Sequence, residues 1–210
     1  MQPKDRFPKL WLCDEFYALC SDTPMSEFLP KFSKFDLKYL RLYKQNLSWE
    51  GYQILTSSGS LETLIIFSSA IKYSDGTFVT LDKLLQNLRS LKNFQLHESD
   101  SDIFKGNTVK NLLKFLLTFK NLKQFHIFQL TETFDFSSFM DYILANETVD
   151  IVLKYAYNVP LSDAYVRMLH NFIDQILQNP PKKIPDIYYL DLEDRRQYRE
   201  YKKLRNGYPS

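Results

Sequence analysis

The side chains able to carry out covalent or acid–base chemistry are few in this chain, and their spacing assembles no familiar site. Cys13 and Cys20 are separated by six residues. A structural zinc site needs four ligands, and the chain has no second cysteine pair to complete one. Two lone cysteines are expected instead as buried thiols. His97 and His126 could neighbour each other on adjacent strands, with Glu98 or Asp100 near enough to serve as a third ligand. That set falls short of a metal centre. The run from His97 to Asp102 resembles a calcium loop only in its acidity, because the glycine and the terminal glutamate are missing. It is expected to be a solvated loop. His170 has no nucleophile to activate. The chain contains no phosphate-binding loop, dinucleotide fingerprint, nucleophile elbow or metalloprotease helix. The sequence therefore predicts no catalytic residue, no metal and no cofactor. A small cysteine hydrolase is the enzyme-class alternative, and native-state inertness of Cys13 and Cys20 to an alkylating probe would remove it.

Residues suited to recognition are far more plentiful. The 210 residues include 17 Phe, 14 Tyr and 2 Trp against only 5 Gly. Trp, Tyr and Arg are the residue types that anchor protein interfaces. The candidate binding residues are Trp11, Tyr39, Arg41, Tyr43, Phe67, Gln95, His97, His126 and Phe128, and the elements that would bring them together are legible as a recurring phrase.

That phrase has the form L-x-x-L-x-L. It occurs as Leu37–Leu42, Leu61–Ile66, Leu91–Leu96 and Leu122–Ile127, with starts 24, 30 and 31 residues apart. Weaker copies are read at Phe7–Leu12, Thr148–Leu153 and Ile187–Leu192. Alternation of the last two anchors points them to one side of a strand, and no unit can bury that side without its neighbours. Helical patterns separate the phrases. Ser48 is placed to cap a helix carrying Trp49, Tyr52, Ile54 and Leu55, and Thr80 one carrying Leu81, Leu84, Leu85 and Leu88. Asn107 or Thr108 opens the next, and Ser137 or Ser138 the one after. A longer helix runs from Ser162 to the Asn179-Pro180-Pro181 stop.

The predicted fold is α/β: an irregular leucine-rich-repeat-like solenoid with one parallel sheet and helices on the convex side. Residues 1–34 form an N-terminal cap or first irregular repeat, 35–185 the solenoid, and 186–210 a last strand and a basic capping helix. The backbone-bonding turn asparagine of regular repeats is matched only by Asn46. The non-anchor strand positions would face outward, and they hold the candidate set; Ile65 and Phe67 could alternatively be covered by a loop or the N-terminal segment.

With the repeats in place, five stretches acquire a resemblance. Trp49–Leu55, Ile71–Thr77, Thr133–Phe139, Leu161–Tyr165 and Pro180–Pro185 resemble the nematode-expanded F-box-associated proteins, over roughly residues 35–205. The resemblance implies a domain that captures partner proteins, in fuller members as substrate receptor of a cullin-type ubiquitin ligase. An F-box opens with a Leu-Pro-x-Glu-like phrase, and Leu29-Pro30-Lys31 is the nearest fragment. Docking to the Skp adaptor does not carry over, so cullin-ligase subunits are possible partners without an F-box to support them.

Charge and hydropathy narrow the remaining classes. The net charge is +2 and the pI about 8.3, too even to favour nucleic acid. The basic helix expected near Arg195, Arg196, Arg199, Lys202, Lys203 and Arg205 is the alternative site, for nucleic acid or an acidic partner; binding that survives high salt would oppose the former. The apolar cluster at Leu112–Phe119 is interrupted by Lys114 and too short to span a bilayer. With no signal peptide legible, the expected location is intracellular, cytoplasmic or nuclear.

Overall fold

The computed structural model describes residues 10–19, 25–97, 101–192 and 196–207. The chain opens with strand β1 (Leu10–Ala18), a single-turn helix α1 (Met25–Phe28) and a 3₁₀ turn at Leu29–Lys31. A long strand β2 (Phe32–Tyr43) follows, then β3 (Asn46–Ser48), α2 (Trp49–Leu55), β4 (Thr63–Phe67), β5 (Ala70–Lys72) and α3 (Leu81–Leu85). After them come β6 (Asn93–His97), α4 (Thr108–Leu116), β7 (Gln124–Leu130), α5 (Phe136–Ala145) and β8 (Asp150–Tyr155). Helix α6 (Asp163–Gln178), β9 (Asp186–Tyr188) and α7 (Arg196–Gly207) complete the order. Seven strands form one parallel sheet in the order β1-β2-β4-β6-β7-β8-β9, each added in chain order beside the last. No helix of the described residues is long and apolar enough to cross a membrane.

The alternation in the recurring phrase explains the sheet. Leu40, Leu64, Phe94, Phe125 and Ile151 stand side by side in register, and so do Leu42, Ile66, Leu96, Ile127, Leu153 and Ile187. Both rows are fully buried, under the helices, whose apolar residues join the same core. The leading residues Leu37, Leu61, Leu91 and Leu122 are buried too. Just after them, backbone amides of Glu62, Lys92, Lys123 and Asp150 donate to the carbonyls of Lys38, Glu62, Lys92 and Lys123 at 2.7–2.8 Å. Helices α3 to α7 pack each against the next.

Ser48 caps α2 by accepting from the Gly51 amide at 3.1 Å, and Ser162 caps α6. Helix α5 is capped differently from expectation. Asp135, not Ser137 or Ser138, is its N-cap and accepts from the Ser138 amide at 3.1 Å. Ile54, expected on the inner side of α2, is exposed.

Three further expectations are corrected by the chain path. The sheet is not alone: β3 and β5 form a second parallel ladder. To reach it the chain bends out of the large sheet at Lys44 and Ser68, which hold φ of +51° and +46°, and Gln129 does the same after β7 at +62°. Asn46 does not satisfy the turn, since it is exposed on β3. Gln45 and Ser69 take that role. Both are buried; the Gln45 amide donates to Ser69 Oγ at 3.0 Å, and its Nε2 to the Leu19 and Tyr43 carbonyls at 2.9 and 3.1 Å.

In two of the weaker phrases the strand frame differs from the expected one. In β1 the partners of Leu40 and Leu42 are Phe16 and Ala18, not Leu10 and Leu12. Register shifts beside Trp11 and Asp14, the latter at φ +62°, displace the frame. At the other end Ile187 holds the Leu42 position, while Leu190–Leu192 is a 3₁₀ turn.

Candidate functional site

Because the strands are in register, the residues between the buried anchors form rows across the opposite face of the sheet. The row nearest the strand C-termini is Tyr43, Phe67, His97, Phe128 and Lys154. Strands lie about 4.8 Å apart, an interval at which flat rings on neighbouring strands stack. Tyr43 meets Phe67 at 5.0 Å between centroids, Phe67 meets His97 at 4.9 Å, and His97 lies on Phe128 at 3.9 Å and 12°. Lys44 Nζ stands 5.4 Å from the Tyr43 ring centre and Lys154 Nζ 5.7 Å from that of Phe128. The ladder is thus flanked by a cation at each end. Each contact of this kind contributes about 0.5–1.5 kcal/mol.

The middle row is Tyr17, Arg41, Ile65, Gln95, His126 and Val152. Arg41 is half-buried, its Nε is shielded from solvent, and that Nε has no hydrogen-bond partner. Among the described residues the guanidinium joins no ion pair. Tyr17 packs on Tyr39 at 5.0 Å and its hydroxyl donates to Glu15 at 3.0 Å. Ile65 and Phe67 are half-buried and so not sealed under another segment.

Toward β9 the same face carries a closed charge network. His126 Nε2 and Asp150 are 2.9 Å apart. Arg205 of α7 reaches Asp186 at 2.7 Å and Asp150 at 3.5 Å, and Lys154 lies 3.7 Å from Asp186. The hydrogen bond from His126 outweighs burial and, helped by the Arg205 charge, holds the Asp150 carboxyl below the usual carboxylate range. His97 is also shifted: burial, then Arg41 and His126, push its pKa below the ordinary imidazole value.

Of the residues expected to form the binding face, Tyr39, Arg41, Tyr43, Phe67, Gln95, His97, His126 and Phe128 lie on it together. Trp11 does not. It pairs with Lys34, whose Nζ sits 4.0 Å from its ring centre, well before the Tyr39–Tyr43 segment along the strand. The place beside Arg41 belongs to Tyr17, which is not among the candidate residues. The signal was present in the alternation Glu15-Phe16-Tyr17-Ala18, but alanine at an anchor position does not look like leucine.

The other candidate chemistries are placed as follows. Cys13, expected to be buried, is exposed. Cys20, Glu98 and Asp100 lie outside the described residues, among which no group of three His, Cys, Asp or Glu could hold a metal ion. The basic helix is α7. Arg195 lies outside the described residues, Arg205 is engaged by Asp150 and Asp186, and Lys202 sits 5.2 Å from the Tyr198 ring centre. Two hollows of about 170 and 260 Å³ lie at the Tyr155–Leu161 loop and between α2 and the end of α3. No family model, curated protein or solved structure matches the chain.

Proposed function

We propose that the chain is a non-enzymatic protein-interaction module that binds its partner on the open face of the parallel sheet. The observation that carries this reading is the unbroken ladder Tyr43–Phe67–His97–Phe128, left half-exposed beside Arg41, whose guanidinium joins no ion pair among the described residues. A face whose only role was to end the protein at water would not favour four stacked rings, and rings of this kind anchor protein interfaces. Strand-by-strand addition in chain order supports the finer reading of the fold as an irregular leucine-rich-repeat-like solenoid. The stretches that resemble the F-box-associated proteins support a role as a substrate or partner receptor of that kind.

The test is affinity capture from lysate with the wild-type chain and with the double variant Tyr43→Ala, Phe128→Ala. The expected outcome is one or more proteins retained by the wild type and lost by the variant, with the variant's thermal melt still cooperative. Identical captures by both would overturn the reading. Cullin-ligase subunits among the retained proteins would identify the receptor role.

A further inference from the structure

The middle of the binding face says what the partner must bring. This inference rests on the reading of the open face as an interaction surface. We propose that the partner is a peptide segment that presents an aspartate or glutamate carboxylate to Arg41 and lays an apolar neighbour on the Tyr43–Phe67 end of the ring ladder.

Three observations lead there. Arg41 is half-buried, its Nε has no acceptor, and its guanidinium joins no ion pair among the described residues, so the charge lacks the partner that a desolvated cation needs. Among the described residues, carboxylates on the same face are already engaged: Glu15 by the Tyr17 hydroxyl, Asp150 by His126 and Arg205, and Asp186 by Arg205 and Lys154. The surroundings of Arg41 are Tyr39 and Tyr43 along its strand and Tyr17 and Ile65 on the strands beside it. Such a setting desolvates an ion pair and strengthens it. The planar fork of a guanidinium matches one carboxylate. A phosphate group would call for further cations, and the lysines that stand over the ring ladder, Lys44 and Lys154, sit by its outer ends. The charge complementarity is that of one acidic side chain.

The test uses the full chain and a random twelve-residue peptide library displayed on phage. Peptides selected on the wild type are expected to be enriched in Asp and Glu, and to bind Arg41→Gln about ten- to a hundredfold more weakly. Arg41→Lys, which keeps the charge but not the fork, should fall between, and it serves as the working variant if Arg41→Gln fails to fold. Binders without acidic enrichment, held equally by Arg41→Gln but lost on Phe67→Ala, would overturn the carboxylate assignment and leave the interface reading standing. Binders indifferent to both substitutions would overturn both. Failure of the library to yield any binder on the wild-type chain also overturns the proposal.

Discussion

At the scale of single residues, His97 makes the clearest prediction. It is held between Phe67 and Phe128, and burial, with the charges of Arg41 and His126, lowers its pKa. The unfolded chain therefore takes up a proton first as the pH falls through about 6.5. The stability tied to a neutral His97 is fully present above that pH and is lost as the pH falls through the lower folded value. The melting temperature of the wild type should drop more steeply between pH 7 and 5 than that of His97→Phe, which keeps the stack and cannot titrate. Parallel curves would show that His97 is not responsible. Residue by residue, the outward positions from Tyr39 to Phe128 were legible because strict alternation leaves each side chain only two directions. Trp11 was not, because the irregularities at Leu10–Trp11 and Asp14–Glu15 change which residue meets which without any mark in residue type. The pairing of Arg205 with the sheet carboxylates was not legible for a different reason. Its partners Asp150 and Asp186 are 55 and 19 positions away, and no local pattern announces them.

At the scale of elements, the four strong phrases became β2, β4, β6 and β7, since each pairs leucine-like anchors with a two-residue period. Strand β9 is only three residues long, too short for periodicity to fix its frame. Helix starts were legible to within a residue or two, and α5 shows why not better. Ser137, Ser138 and Asp135 are all good capping types, and only the folded backbone reveals which one accepts. Burial pushes the Asp135 carboxyl up, but hydrogen bonds from the Ser138 and Ser137 hydroxyls and the Ser138 amide outweigh it and hold it below its usual range. Asp135→Ala should cost about 1 kcal/mol in urea unfolding and Asp135→Asn less, because asparagine still caps. Equal losses for the two would mean that the carboxylate charge, not the cap, is what matters.

At the scale of the whole molecule, the β9 end of the sheet is closed by a helix. Beyond β9 the backbone is closed by α7: the buried Tyr201 hydroxyl donates to the Pro185 carbonyl at 2.6 Å and accepts from the Ile187 amide at 3.3 Å. Tyr201→Phe removes both partners from buried backbone groups and should cost about 1–3 kcal/mol. Deleting residues 196–207 would uncover the strand edge itself, and uncovered edges pair with other chains. Light scattering of the deleted form should therefore rise with concentration, while Tyr201→Phe stays monodisperse; a deleted form that scatters like the wild type would rule out an edge-covering role for α7. The in-register stacking of the strands has one more consequence. Every letter of the ring ladder is contributed by a different strand, and the varied segment lengths between strands lie off the sheet. The surface can consequently be rewritten one strand at a time, and lengthening a connecting loop leaves its spelling intact. A single residue inserted inside β4 would turn Phe67 to the opposite side and break the text at its second letter.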